Sequence, residues 1–456
     1  MSPRAEPMMD LREAAQAVGG RVEGDPVGFE GVSTDSRTIA PGELFVALKG
    51  ERFDGHEHVG EARLRGAAAA LVSRLVPQTP QVVARDTRVA LGRLAAHWRV
   101  RHSAPLVALT GSNGKTTVKE MLAAILAVHC GDRTRVLATE GNLNNDIGMP
   151  LTLLKLREHH HYAVIEMGMN HEGEIDNLAH IAQPSVALVN NAHRAHVGIL
   201  GSVEAIAHAK GEIYAGLRGN GVAIVNEDDA HAPYWKSLNA GRRIVTFGLG
   251  AGADVRASTA GPQMRIVTPQ DAFAVTLHVA GEHNLRNALA ACAAAHALGI
   301  PVAAMQQGLG EFPGVPGRLQ RRRGPAGAWV IDDSYNANPE SMRAAIDVLA
   351  AQEGRRVFVM GDMGELGSEA PSMHAEVGAA ARAAGIDALF TLGEASREAD
   401  GAFGAGARHF DDHAALIEAA RGEAGYGVTF LVKGSRFMRM ERVADALASS
   451  GGTDAA

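Results

Sequence analysis

The run Thr110-Gly111-Ser112-Asn113-Gly114-Lys115-Thr116-Thr117 follows an apolar stretch, PLVALT at 105–110, and precedes an amphipathic one, VKEMLAAILAVH. Glycines let successive backbone N–H groups turn inward around phosphate oxygens, and a helix N-terminus adds positive potential. A lysine at position 115 then reaches the outer phosphates, and the Thr116 hydroxyl is placed to ligate magnesium. The pattern predicts a nucleoside triphosphate site in a strand, loop, helix unit. The longer phosphate-loop pattern asks for a further glycine at 109, where this chain has Leu109, so the match is to a shortened GxxGK[ST] form. An ordinary Gly-rich turn is the bland alternative, and it leaves the flanking strand and helix unexplained.

Three other residues belong to the same sheet edge. Glu166 ends the apolar run YAVIEM, and ligands collect at the C-terminal edge of a parallel sheet. A carboxylate there either holds magnesium or serves structure, and spacing does not choose. His196, in NNAHRAHVG, and Lys210, in AHAKGEI, belong to the same edge; spacing alone reads both as structural. The HHH run at 159–161 sits in a charged loop and reads as solvated rather than as a metal centre.

These residues need sheets to hold them. A chain of 456 residues exceeds the ~250 to 300 at which one core stops growing, so two or three domains are expected. With 46% hydrophobic and 21% charged residues the composition is that of a globular protein. Residues 1–85 read as a small α/β domain with a helix at 11–18 and apolar runs at 44–48 and 67–72. From 86 to 313, buried-strand candidates at 105–110, 162–167, 186–191, 222–226 and 243–248 alternate with helical segments, which predicts a mainly parallel sheet with right-handed crossovers. The joint FPGVPGRL precedes a third, doubly wound α/β domain over 314–456, with strand candidates at 328–333, 356–361, 389–393 and 428–434. The last residues, ASSGGTDAA, read as disordered.

The formal charge of −7 argues against general nucleic-acid binding, which needs a basic face. Cys130 and Cys292 lie in helical Ala-rich stretches and read as buried inert thiols in a reducing compartment. No secretory signal precedes residue 20 and no run approaches ~18 apolar residues, so a cytoplasmic protein without membrane contact is expected; the Ala-rich run 288–299 is a packing helix.

In order along the whole chain stand TGSNGKTT, GNLNNDIGMP, AVIEMG, the AH pair at 195–196, AKGEI, GEHNLRNALAA, GRL, DDSYNANP and VKGSRFMRMERV. This series resembles the Mur ligase family of ATP-dependent amide-forming enzymes. The N-terminal STDSRTIAPGELFVALKGERFDGHEH resembles the family's UDP-binding domain. GNLNNDIGMP, DDSYNANP and GDMGELG at 361–367 point to the branch that joins D-alanyl-D-alanine to UDP-N-acetylmuramoyl-tripeptide through an acyl phosphate.

The resemblance implies that Gly111, Ser112, Asn113, Gly114, Lys115, Thr116 and Thr117 bind ATP phosphates, with Asn284, Asn287, Arg318 and Asp333 completing the nucleotide site. Two magnesium ions are implied, one on Thr116 and Glu166, the other on His196 and a carbamylated Lys210; Lys115, His196 and Lys210 are the implied catalytic set. Asp35, Ser36 and Arg37 match the UDP-binding segment. Asn144 and Asn145 match residues near the muramoyl substrate, and Lys433, Ser435 and Arg436 match residues near the dipeptide. AHV at 195–197 stands where the family mostly has AHL, which leaves His196 in place. A monomer is expected. The rivals are the branch that adds the third amino acid, whose DNPR-type segment is missing here, the folylpolyglutamate synthetase branch, and an ATP-hydrolysing switch.

Overall fold

The structure, a computed structural model, describes residues 7–260 and 263–448. The terminal run 449–456, read above as disordered, lies outside the described residues.

The first helix, Leu11–Val18, starts where Asp10 accepts hydrogen bonds from the Arg12 and Glu13 amides, both at 2.8 Å, and stops at Gly19 in the left-handed region. Its buried residues, Leu11, Ala14, Ala15 and Val18, recur at helical spacing, so one stripe faces the core. Beyond it a five-stranded sheet runs in the order Arg21–Glu23, Gln81–Val83, Ala69–Val72, Glu43–Val46, Gly31–Ser33; only Arg21–Glu23 pairs antiparallel.

The long helix Thr87–Val100 leads into a nine-stranded sheet. Its strand Leu106–Thr110 lies between Tyr162–Glu166 and Val186–Val189, parallel to both. All five residues of Leu106–Thr110 are buried, because helices cover both faces. Leu106 and Ala108 join the core shared with the N-terminal region. Val107 and Leu109 pack into the core beneath helices Lys115–Cys130 and Glu282–Ala297. After Leu106–Thr110 the chain builds strands Val136–Ala138 and Tyr162–Glu166 on one side, then crosses to Val186–Val189 on the other. The strand order therefore reverses at Leu106–Thr110, and the C-terminal ends of three strands open a crevice there.

One edge of this sheet departs from the parallel pattern. Val255–Ala260 runs parallel to Ile244–Gly248, but Gln263–Val267 and Ala272–Val275 extend the sheet antiparallel. Val255, Ile266 and Phe273 are buried while neighbours face outward, so this edge is covered on one face only and its strands are too polar to read as buried runs.

The C-terminal sheet has the order Gln320–Arg323, Trp329–Asp333, Val428–Lys433, Arg355–Gly361, Ala388–Leu392, Ala407–Phe410, parallel except at its first strand. Helices Pro339–Ala350 and Ala370–Ala383 cover one face, and His413–Glu423 with Glu441–Leu447 cover the other.

Cys292 is buried in helix Glu282–Ala297, which raises its thiol pKa, as an inert thiol requires. Cys130 corrects the expectation of burial: it is half-buried, because its helix ends there at Gly131. Among the described residues no helix is long and apolar enough to cross a membrane.

Candidate active site

The loop after Leu106–Thr110 is built from backbone contacts that only small residues permit. Gly114 has φ 78°, and a Cβ on it would stand 2.2 Å from Asn287 Oδ1 and 2.7 Å from Asn190 Nδ2. Helix Lys115–Cys130 begins at the next residue, so its free amides face the crevice. Lys115 Nζ donates to Gly111 O at 2.6 Å and Ser112 O at 3.4 Å, folded back on its own loop. Burial lowers the Lys115 pKa, which Glu166 partly offsets and Arg318 reinforces.

Glu166 is 2% exposed and accepts from Thr116 Oγ1 at 3.0 Å and from Asn144 Nδ2 at 2.7 Å. Arg318 reaches in from the C-terminal side and donates from Nη2 to Thr116 Oγ1 at 3.1 Å, while its Nε is buried without a partner. Its guanidinium lies 4.2 Å from the Tyr335 ring centroid, and that of Arg436 lies 5.7 Å from the same ring. Asp333 is tied to Lys433 Nζ at 2.6 Å and to the Leu319 amide at 3.2 Å. Burial raises the Asp333 pKa, and the Lys433 ammonium opposes that rise.

Lys210 is 1% exposed, and among the described residues no carboxylate pairs with its side chain. Burial, reinforced by the cation of Lys115, pushes its pKa well down. His196 is half-buried in the left-handed region at φ 67°, with Nδ1 2.6 Å from Glu365 Oε2. Among the described residues no three His, Cys, Asp or Glu side chains converge on one point. The described side chains therefore offer too few donors to hold a metal alone, but Glu166, His196 and Lys210 border a cleft where phosphate oxygens and water could complete a magnesium shell, with Thr116 hydrogen-bonded to Glu166.

That cleft has a volume of about 1410 Å³ and is lined from both the central and the C-terminal sheets. It gathers Ser112, Asn113, Gly114, Lys115 and Thr117 of the phosphate loop, though not Gly111 or Thr116, with Glu166, His196, Lys210, Asn144, Asn145, Asn284, Asn287, Arg318, Asp333, Lys433, Ser435 and Arg436. Some of these point away from a ligand role in this state. Asn145 Oδ1 accepts from the Gly148 amide at 2.8 Å, and Ser435 Oγ accepts from the Gly364 amide at 2.8 Å.

Asp35, Ser36 and Arg37 do not join the cleft. They follow strand Gly31–Ser33, where Arg37 forms a bidentate pair with Asp35 at 2.7 and 2.9 Å and Ser36 Oγ donates to Glu61 at 2.9 Å. The Arg37 guanidinium beside it lowers the Asp35 pKa to about 2.

Several contributors went unread in the sequence. Asn190 Nδ2 donates to Asn113 O at 2.9 Å and to Asn287 Oδ1 at 3.0 Å, and Asn191 Oδ1 accepts from the Asn113 amide at 2.8 Å. Consecutive Asn residues ending VALVNN were the available signal. Asn338 Nδ2 donates to Asn113 Oδ1 at 2.6 Å and also caps helix Pro339–Ala350, a cap visible as Asn before Pro. Arg194 pairs bidentately with Glu376 at 2.9 and 3.0 Å and also contacts Glu340, so the C-terminal sheet is docked on the central one.

Residues 109–295 match the Mur ligase middle domain, 317–436 the Mur ligase glutamate ligase domain and 28–99 the Mur ligase family catalytic domain. The chain is 44% identical over 451 residues to the UDP-N-acetylmuramoyl-tripeptide–D-alanyl-D-alanine ligase of Escherichia coli (strain K12), covering 97% of this chain and 98% of the relative. A crystal structure of MurF from Acinetobacter baumannii superposes with a TM-score of 0.89 at 38% identity, covering 97% of this chain and 99% of that one. MurF ligase from Thermotoga maritima in complex with ADP gives 0.80 at 27% identity over 91% of this chain and 96% of that one.

Proposed function

The chain belongs to the Mur ligase family, and we propose that it catalyses the reaction its relatives are named for, the ATP-dependent joining of D-alanyl-D-alanine to UDP-N-acetylmuramoyl-tripeptide. The structural observation that carries this reading is the Thr116–Glu166 pair at the phosphate loop, met from the C-terminal side by Arg318. The chain makes the amide of a UDP-muramoyl-pentapeptide, a peptidoglycan precursor, in the cytoplasm and as a monomer. Residues 1–85 take the UDP end, through Asp35, Ser36 and Arg37; 86–313 hold ATP; 314–456 close over both.

The tripeptide carboxylate attacks the γ-phosphorus of ATP, releasing ADP and giving an acyl phosphate. The amine of D-alanyl-D-alanine then attacks the acyl carbon, and phosphate leaves. Both partners of the first step are anions, so stabilising charge on the transferred group is the main task. Lys115 swings from its loop carbonyls to the outer phosphates, where loop amides 111–117 hold the rest. Arg318 leaves Thr116 for the nucleotide, Asn284 and Asn287 shape the floor below, and Asp333 orients the ribose side through its Lys433 contact. Asn144 and Asn145 flank the muramoyl chain, and Lys433, Ser435 and Arg436 border the dipeptide.

Magnesium, when bound at Thr116 with Glu166 and at His196 with Lys210, supplies Lewis-acid neutralisation of the phosphate oxygens. Lys210 fits this only as a carbamate. A buried ammonium without a carboxylate would repel the ion, whereas burial favours the neutral amine that CO2 attacks, and the carbamate presents anionic oxygens.

Product analysis tests the reading. A ligase makes ADP in step with a new amide only when both the tripeptide and the dipeptide are present. ATP turnover without either substrate would instead identify a switch.

A further inference from the structure

The Asp362–Leu366 loop carries one carboxylate towards the nucleotide site from the opposite side of the cleft. Glu365 Oε2 lies 2.6 Å from His196 Nδ1, a close charge contact off the line of a hydrogen bond, and Nδ1 is buried with no other polar partner. Both residues hold left-handed backbones, His196 at φ 67° and Glu365 at φ 63°, although neither is glycine. Such conformations persist where the surroundings over-determine them, and they cluster at working sites.

The surroundings here do over-determine the loop. Asp362 accepts from the Ser396 amide at 2.8 Å, and its carbonyl accepts from the Ser435 amide at 2.9 Å. The Met363 amide donates to Nε2 of the fully buried His374 at 2.9 Å, and the Gly364 amide to Ser435 Oγ at 2.8 Å. On the facing side the Gly198 amide donates to Glu365 O at 3.0 Å. A Cβ on Gly198 would stand 2.5 Å from Gly367 N and 2.6 Å from Glu365 O, so the two backbones meet closer than any side chain allows.

We propose that Glu365 is a positioning residue that fixes the ring of His196, and that it does so only while the C-terminal sheet is docked. A carboxylate this close to Nδ1 favours the ring proton there by its charge and leaves the Nε2 lone pair for a cation. Undocked, Nδ1 faces water, the ring turns freely and either nitrogen carries the proton. Docking thereby readies His196, and nucleotide chemistry waits for closure. A plain fastener between domains would need no ring nitrogen and would leave the tautomer alone. The proposal rests on the reading of His196 as a metal ligand given above.

Two measurements test it. In metal-free protein, 15N shifts of the His196 ring, assigned by difference with His196→Ala, should report the Nδ1–H form in wild type. Glu365→Ala should move it towards the Nε2–H form that free histidine favours, and Glu365→Gln, which keeps an acceptor, should restore part of it. Turnover of Glu365→Ala should fall roughly 10- to 100-fold with little change in the KM for ATP. An unchanged tautomer in Glu365→Ala, with scattering showing the domains still docked, overturns the positioning role. Pulsed EPR of the protein with Mn2+ and a non-hydrolysable ATP analogue separates the two readings. If wild type shows no nitrogen coupling that His196→Ala removes, the ligand role of His196 fails and the proposal fails with it. If the coupling is present and survives intact in Glu365→Ala, only the proposal fails.

Discussion

Arg318 Nη2 donates to Thr116 Oγ1 across 3.1 Å, joining the C-terminal sheet to the hydroxyl that also donates to Glu166. The guanidinium thus stands where a cation is wanted, at the hydroxyl of the phosphate loop. Arg318→Lys keeps the charge but loses the planar fork. It should weaken ATP binding while leaving the melting temperature nearly unchanged, which calorimetric titration with ATP checks.

Lys115→Ala should reduce ligation by roughly 100-fold or more, since this ammonium serves developing phosphate charge and its resting bonds are only to its own loop. Circular dichroism should be unchanged. A purified variant retaining more than about a tenth of wild-type turnover would remove Lys115 from the phosphate site.

Lys210→Ala should abolish activity, and short carboxylic acids that fill the vacated space should restore part of it, whereas amines should not. Lys210→Arg should be no better than Ala, because guanidinium keeps its charge and cannot form a carbamate. An arginine variant close to wild-type rate would mean that the residue acts as a cation.

Docking should fail from either side of the interface. Arg194→Ala removes the contact with Glu340 and one of the two partners of Glu376, which keeps Arg343, costing on the order of 1 to 3 kcal/mol of domain contact. Gly198→Ala introduces the clash with Gly367 and Glu365. Both variants should show a larger radius of gyration in small-angle scattering and slower turnover; an unchanged radius in both would show that these contacts do not hold the closed form.

His283, in the cleft beside Asn284, has its pKa lowered from 6.5 to about 4, first by burial and then by the Lys433 and Arg286 charges. The unfolded chain binds its proton more readily than the fold. The stability this neutral ring allows is therefore complete above pH 6.5 and is lost as pH falls towards 4. His283→Gln should flatten that part of the stability profile, read as urea midpoints across the window.

What the sequence disclosed follows from how far each feature extends along the chain. Leu106–Thr110 and Val428–Lys433 were legible as strands because burial on both faces makes every residue apolar. Val255–Ala260 was not, since its alternation carries polar residues and its partner strands supply the pairing. The phosphate loop is contiguous and announces itself. Glu365 and His196 lie far apart in sequence, and docking of the C-terminal sheet, with Gly198 packed on Gly367, brings them together. Lys210 is unremarkable as a letter; its burial without a counter-charge gives it meaning. Asp35, Ser36 and Arg37 entered by resemblance alone, and their distance from the cleft reflects a separate sheet.

Asn113 is followed directly by Gly114, the dipeptide in which the backbone nitrogen most easily attacks a side-chain amide, expelling ammonia and leaving aspartate or isoaspartate after hydrolysis. In the docked molecule that amide is held by Asn338 across the interface, and its backbone by Asn190 and Asn191. Of these contacts only the one from Asn338 crosses the interface. Deamidation at this one position would put a carboxylate against the incoming polyphosphate, and the Asn338 contact across the interface restrains the side chain that would react.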